Sequence, residues 1–262
     1  MADVLRASRV DNMGAENEGG NMTKLALVTG ASRGLGATIS TFLAGMGYDL
    51  ILTARGVRAL EAHAGDLREL GVGVEAIAGD VADADHQMRL VRAASERSGL
   101  DLLINNASDL GPSPLLALHE IPLNALRRIH EVNFIAPLAL IQQSLPLLKA
   151  RNGWIVNISS DAAIGGYEGW GGYGSSKAAL DLASLTLANE LKEVGISVVS
   201  VDPGDMRTDM HQLAFPGEDI SDRPLPDETL PFWAWLLSQE PALITGSRFQ
   251  AQAESWELGV RV

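Results

Sequence analysis

Three residues able to move a proton lie close together in the chain: Ser160, Tyr173 and Lys177, within the stretch GWIVNISSDAAIGGYEGWGGYGSSK that runs from Gly153 to Lys177. A free phenol titrates near ~10, too high for a base at neutral pH. An ammonium about 4 Å away, at an effective dielectric of ~20, favours the phenolate by roughly 4 kcal/mol. That would bring Tyr173 close to working pH, where acid–base catalysis is most efficient. Tyr173 and Lys177 stand one helical turn apart and share a face if a helix begins there. A Tyr–Lys pair at this spacing is, in most proteins, a surface pair. What the rest of the chain delivers to it decides between the two readings.

Positioning falls to the flanking elements. Trp154 to Ile158 reads as a buried strand that carries Ser159 and Ser160 to its end, and the glycine-rich loop GGYEGWGG then offers Tyr167 and Trp170. The helix from Tyr173 continues through Leu180, Ala183 and Leu187 to Val194-Gly195. Far upstream, Lys24 to Val28 is an apolar run typical of a strand buried on both faces. It opens into Thr29-Gly30-Ala31-Ser32-Arg33-Gly34-Leu35-Gly36, and a helical pattern follows with Ile39, Phe42, Leu43 and Met46. Strand, glycine turn and helix in that order begin a nucleotide-binding βαβ unit. Without a Cβ the backbone N–H groups can approach a pyrophosphate at the positive end of the helix.

The second strand, Asp49 to Thr53, ends at Ala54-Arg55. An acid at that place would hold the ribose 2′-hydroxyl of NAD. Here Ala54 stands in its place, and Arg55 and Arg33 offer two guanidiniums, which suit the 2′-phosphate of NADP. A third strand, Val74 to Ala78, leads to Gly79-Asp80-Val81. Asp80 either accepts from the adenine amino group or caps the next helix. A fourth strand, Leu102 to Ile104, ends in Asn105-Asn106-Ala107-Ser108, whose amides can tie strands together and border the cofactor.

A long helical pattern from about Leu123 to Leu148 contains Pro137, which should bend or divide it. Asn133 within it either makes a structural hydrogen bond or holds a catalytic water. A strand from Ile196 to Val201 leads into Asp202-Pro203-Gly204, and the Pro-, Asp- and Gly-rich segment from about residue 205 to 233 reads as a mobile lid. A last helix lies near Leu230 to Ser238 and a short strand near Ser247 to Phe249. Residues 1–23 lack periodicity and read as a mobile tail. The rest, 24–262, is expected to form one α/β domain, a doubly wound parallel sheet (Rossmann fold) with helices on both faces.

Composition narrows the partners. The formal net charge of −13 argues against a nucleic-acid surface, and no run approaches the ~20 apolar residues of a membrane span. No cysteine is present, which removes disulfides and thiolate metal sites and fits a cytoplasmic protein. The five histidines, His63, His86, His119, His130 and His211, show no ligand spacing, so no metal is expected.

Taken together, these segments resemble the short-chain dehydrogenase/reductase family in its single-domain form, over Lys24 to about Ala251. TGASRGLG resembles the family's cofactor loop, with Gly30, Gly34 and Gly36 as its glycines and Ser32, Arg33 and Leu35 between them. Gly79-Asp80-Val81 looks like the adenine turn. Asn105-Asn106-Ala107 matches the NNAG element, except that Ser108 replaces the last glycine. Asn133 falls at the family's helix asparagine, Ser160 at its serine, and Tyr173 with Lys177 at its YxxxK pair. Ser160 is preferred to Ser159 because it precedes Tyr173 by thirteen residues, the family's usual spacing. Pro203, Gly204 and Thr208 look like the segment that clasps the nicotinamide carboxamide. The C-terminal strand departs from the family's usual Val-Asp-Gly-Gly, with Gln250-Ala251-Gln252-Ala253 after Phe249.

The resemblance implies an NADP(H)-dependent oxidoreductase acting on a small carbonyl or alcohol substrate, working as a homodimer or homotetramer. In that reading Ser160 donates to the substrate oxygen, Tyr173 gives or takes its proton, Lys177 holds the nicotinamide ribose, and Asn133 holds a water. Apolar pocket walls are expected from Met206, Met210, Leu213, Phe215 and Trp233, with Tyr167 and Trp170. The alternative is a non-catalytic dinucleotide-binding or redox-sensing protein on the same fold. The intact Ser160, Tyr173 and Lys177 count against it.

Overall fold

Five apolar or small residues in a row, Leu25–Thr29 (β1), form an inner strand of a sheet and are buried along their whole length. A computed structural model describes residues 23–257; residues 1–22, nearly all of the expected N-terminal tail, lie outside the described part. After β1 come α1 (Gly34–Gly45), β2 (Asp49–Thr53), α2 (Val57–Arg68), β3 (Val74–Ala76), α3 (Ala84–Glu96) and β4 (Leu102–Asn105). The second half adds α4 (Leu123–His130), α5 (Ala136–Lys149), β5 (Trp154–Ile158), α6 (Gly171–Leu191) and β6 (Ser197–Asp202). It closes with α7 (Asp209–Ala214), α8 (Leu230–Ser238), α9 (Pro241–Ile244) and β7 (Arg248–Gln250).

All seven strands are parallel, in the order β3-β2-β1-β4-β5-β6-β7. Alternate residues of β1 face opposite layers, which is why the strand reads as an unbroken apolar run. Ala26 and Val28 join a core with Leu43 of α1, Leu60 of α2 and Phe232 of α8, while Leu25 and Leu27 join Leu90 of α3, Leu140 of α5 and Ala188 of α6. This is the expected Rossmann-type fold. The strand order reverses between β1 and β4, and such a switch point opens a crevice at the carboxyl ends of the strands.

Several boundaries differ from the sequence reading. β3 stops at Ala76 instead of Ala78, β6 runs Ser197–Asp202, and β7 is displaced by one residue to Arg248–Gln250. The long helix is divided, but ahead of the proline: a π-helical turn, Glu131–Ile135, separates α4 from α5. Pro137 then sits in the first turn of α5, where no N–H is needed. It cannot donate to the carbonyl of Asn133, four residues back, so the helix widens there. The expected lid is partly regular, with α7 capped by Thr208, whose hydroxyl accepts from the His211 N–H at 3.2 Å. Trp233 is no pocket wall. It lies 1% exposed in the core, and its indole N–H donates to Thr229 Oγ1 at 3.0 Å.

Candidate active site

The crevice is a groove of about 1070 Å³ that runs from Gly30–Thr38 past Ser160, Tyr173 and Lys177 to Met210 and Phe215. At its cofactor end the backbone turns through Gly30, with φ +68°. A Cβ on Gly36 would stand 2.4 Å from the Gly30 carbonyl oxygen and 2.5 Å from Asn106 Nδ2, so only glycine fits. No side chain caps the start of α1. Its first N–H groups therefore remain available, at the positive end of the helix, to an anion. The asparagines do tie strands: Asn105 Nδ2 donates to Asn157 Oδ1 at 2.8 Å, and Asn106 Nδ2 donates to the carbonyls of Thr29 and Gly30 at 2.9 and 3.2 Å. Thr29 Oγ1 accepts from the N–H groups of Asn106 and Ala107, both at 2.9 Å, which fixes the turn bordering the groove.

The charged residues at this end are more engaged than their sequence positions indicate. Arg33 is paired with Asp209 of α7 at 2.6 Å, both side chains exposed. Arg55 lines the groove near Asp80 and is exposed. Asp80 accepts from the Ala82 N–H at 2.9 Å and is paired with Arg128, which also lies 3.7 Å from Asp109. Burial alone would raise the Asp80 carboxyl, but the Ala82 N–H and Arg128 outweigh it and hold it below its ordinary range. The capping reading of Asp80 does not hold: Asp83 caps α3, accepting from the His86 N–H at 3.0 Å, and the Asp80 bond to Ala82 only closes the turn before it. Nothing in the sequence pairs Arg128 with Asp80, 48 positions away.

Asn133, fully buried on the π-helical turn, has its amide saturated. Oδ1 accepts from Ser108 Oγ at 3.2 Å and the Asp109 N–H at 2.7 Å, and Nδ2 donates to the Asp109 carbonyl and Ser176 Oγ, both at 2.9 Å. The structural-bond reading of this side chain is therefore satisfied, and a water would have to be held by its backbone. Ser160 lines the groove and caps the short 3-10 turn Asp161–Ala163, its hydroxyl accepting from the Ala162 N–H at 3.2 Å. Ser159 is buried, with no partner for its hydroxyl.

Tyr173 and Lys177 project from the first turns of α6, Tyr173 against the edge of the Trp170 ring. Lys177 is 1% exposed; Nζ donates to the Ile158 carbonyl at 2.7 Å and lies 5.5 Å from the centroid of the Tyr173 ring. Burial pushes the Lys177 ammonium down to about 8, partly offset by the Asp181 carboxylate. Burial also raises the Tyr173 phenol well above its ordinary value, opposed by the hydroxyls of Ser108 and Ser160. The expected lowering of the phenol toward neutral pH is not found in the protein by itself, where burial is the largest influence on Tyr173.

Leu110, Trp170, Met210, Ala214 and Phe215 pack around Tyr173 as an apolar wall. Pro203 and Gly204 line the groove opposite, with Gly204 at φ +75°. Gln252 Nε2 donates to the carbonyls of Pro203 and Asp205, both at 2.9 Å, so the unusual C-terminus clamps that turn. Thr208, Ser32, Leu35 and Val81 also line the groove. Among the described residues, no cluster of His, Asp and Glu is placed to hold a metal, and no helix is long and apolar enough to cross a membrane.

The sequence pattern of the family described as short chain dehydrogenase matches residues 24–219. The chain belongs to this family. Among curated proteins it is 38% identical over 191 residues to an uncharacterized oxidoreductase of Saccharomyces cerevisiae, covering 72% of this chain and 73% of that one. It is 37% identical over 216 residues to the L-xylo-3-hexulose reductase of Hypocrea jecorina, covering 74% and 70%. A short chain dehydrogenase from Shigella flexneri, solved in complex with NADP, superposes with a TM-score of 0.82 at 29% identity, covering 88% of this chain and 97% of that one. Family membership accounts for the crevice and the order of its elements.

Proposed function

We propose that the protein is an NADP(H)-dependent oxidoreductase that interconverts a carbonyl and a secondary alcohol. One observation carries this reading: Ser160, Tyr173 and Lys177 line the same groove as an uncapped glycine-rich helix start that would accept a pyrophosphate. The NADP complex of the Shigella relative supports the cofactor, and the ketose reductase among the relatives supports the reaction type.

The residues fit the dinucleotide. Gly30, Ser32, Gly34, Leu35 and Gly36 would cradle its pyrophosphate, and Arg33 and Arg55 its 2′-phosphate. Asp80, Val81, Asn106 and Ala107 would border the adenosine and ribose, and Pro203, Gly204 and Thr208 the carboxamide. When bound, the cofactor supplies or accepts a hydride at the carbonyl carbon. The protein handles the oxygen. A Tyr173 phenol raised by burial stays protonated at neutral pH and serves as the acid for carbonyl reduction. Ser160 donates to the same oxygen. Lys177, held by the Ile158 carbonyl and pushed down to about 8 by burial, can shed or regain a proton near working pH and so resupply the neighbouring Tyr173 phenol; it would also hold the ribose hydroxyls of the dinucleotide. In the oxidation direction Tyr173 must first ionise, so that direction should favour alkaline pH. The segment around 205–233 would act as the lid. A homodimer or homotetramer could use α4–α6, where Leu123, Ile135 and Leu182 stay exposed.

A turnover screen of ketones, acyl thioesters and secondary alcohols with NADPH or NADP tests the activity, and Tyr173→Phe tests the mechanism. Loss of turnover by ~100-fold or more, with NADPH binding kept, is the expected result. Unchanged turnover in Tyr173→Phe would overturn the mechanism, and NADPH binding with no turnover across the whole screen would favour the dinucleotide-binding reading.

A further inference from the structure

Arg248 lies on β7, the last strand, 88 positions from Ser160 in sequence, yet its Nη2 donates to the Ser160 carbonyl at 2.8 Å. Its Nε donates to Asp181 Oδ2 at 3.0 Å, and Nη2 also lies 3.4 Å from Asp202 Oδ2. The three acceptors belong to three different elements. Ser160 lies two residues beyond β5, Asp181 stands one turn beyond Lys177 on α6, and Asp202 closes β6 just before Pro203-Gly204. Little of this is exposed to water: 13% of the Arg248 side chain, 16% of Asp181 and 4% of Asp202.

The charges alternate. Lys177, Asp181, Arg248 and Asp202 run as plus, minus, plus, minus, with Lys177 and Asp202 on the groove wall and Asp181 and Arg248 behind it, and Asp161 is the further acid that faces Asp202. The second oxygen of Asp181 is buried without a hydrogen-bond partner, so that carboxylate depends on Arg248 for its hydrogen bond. A guanidinium can serve three acceptors in a fixed fork; an ammonium offers one donor point and cannot span them. Removing it would leave a peptide carbonyl and two carboxylates short of a partner in a dry place.

We propose that Arg248 is a positioning residue for the reaction. By gripping the Ser160 carbonyl together with Asp181 and Asp202, it sets the serine hydroxyl and the Tyr173–Lys177 helix in register with the turn at Pro203-Gly204. The inference rests on the proposed roles of Ser160, Tyr173 and Lys177. It adds a residue that touches neither substrate nor cofactor and that stands on the last strand, just ahead of the unusual ending.

The test compares Arg248→Lys, Arg248→Met, and Arg248→Met combined with Asp181→Asn, which keeps the core free of one uncompensated carboxylate. Each is assayed with NADPH and whichever carbonyl of the screen the wild type reduces best. NADPH affinity is measured by fluorescence titration, and amide exchange is followed across residues 159–163. For Arg248→Lys we expect kcat to fall about 10-fold with KM and the NADPH Kd within about 3-fold, a loss made only in the transition state. Exchange at residues 159–163 should rise by about 10-fold while the centre of the sheet is unchanged. The double variant, which carries one buried carboxylate fewer to leave unpaired and so is expected to fold where Arg248→Met alone does not, should share both effects. Wild-type kcat and unchanged exchange in Arg248→Lys and in the double variant, with only a lower Tm, would overturn the proposal. Tyr173→Phe in the same assay separates the two readings. If it abolishes turnover while the Arg248 variants run normally, the mechanism stands and the positioning role falls. If it leaves turnover intact, both fall.

Discussion

Ser108 Oγ lies 3.2 Å from Asn133 Oδ1 and donates to it, and the same hydroxyl faces the Tyr173 phenol. A hydroxyl has one proton to give. While the phenol is protonated, Ser108 can keep that proton on Asn133; when the phenol ionises, it can turn to the phenolate, because Asn133 Oδ1 retains the Asp109 N–H at 2.7 Å. Ser108 therefore lowers the cost of ionising Tyr173. Ser108→Gly should move the alkaline half-point of alcohol oxidation to higher pH and reduce that rate at pH 8 by about 3- to 10-fold. Carbonyl reduction at neutral pH, which starts from the protonated phenol, should change much less. A pH profile of oxidation that coincides with wild type would exclude this role.

The 2.6 Å pair between Arg33 and Asp209 joins the cofactor loop to the lid helix α7, with both side chains 67% exposed. Such a pair is weak, at most about 1 kcal/mol. An arriving 2′-phosphate competes with Asp209 for the same guanidinium and is repelled by the carboxylate. Asp209→Asn should tighten NADPH binding by about 2- to 5-fold at low salt, with the gain fading at high ionic strength. Arg33→Ala should weaken NADPH relative to NADH by about 10-fold or more. Titration of cofactor fluorescence reads both, and weaker NADPH binding by Asp209→Asn would contradict the competition.

Helix α6 packs on the turn after Ser160, most tightly at Gly174. A Cβ there would stand 2.3 Å from the Ala162 carbonyl oxygen. Backbone cannot yield as a flexible side chain does, so Gly174→Ala must push the helix off the turn that Ser160 caps. Overpacking of this kind costs about 1–3 kcal/mol. Thermal unfolding should show that loss, and kcat should fall with it because Tyr173 and Ser160 move apart. A variant with wild-type Tm and kcat would mean that the contact relaxes freely.

The parallel sheet was legible because its strands are buried on both faces and leave unbroken apolar runs in the sequence. The division of the Leu123–Leu148 pattern was harder to place. Apolar spacing continues through the π-helical turn, and Pro137 marks the break only by the hydrogen bond it cannot make to residue 133. Trp233 reads as a pocket residue because an aromatic residue near a lid has the same sequence signature whether it faces a ligand or the core. The glycine loop and the Tyr173–Lys177 spacing are local, so sequence carries them. Arg128 with Asp80, Arg248 with Ser160 and Gln252 with Pro203 are separated by 48, 88 and 49 positions, and no local pattern encodes such pairs. Of these, only Gln252 belongs to the unusual ending after Phe249.

Lys177 offers a test that needs no substrate. Its ammonium, buried at 1% exposure, is pushed from 10.5 down to about 8 in the folded chain, chiefly by desolvation. Between pH 8 and 10.5 the unfolded lysine still holds its proton while the folded one has shed it. The unfolded state then binds more protons, so this residue's contribution to stability rises with pH through that window and is absent below it. Relative to Lys177→Met, the wild-type unfolding free energy should gain about 3 kcal/mol from pH 8 to 10.5, at about 1.4 kcal/mol per pH unit. Other groups, including the Tyr48 phenol that burial raises to about 12, titrate in both proteins and cancel in the difference. Urea unfolding followed by tryptophan fluorescence supplies the measurement. A flat difference would mean that Lys177 keeps its charge in the fold, and the resupply of protons to Tyr173 near neutral pH would lose its physical basis.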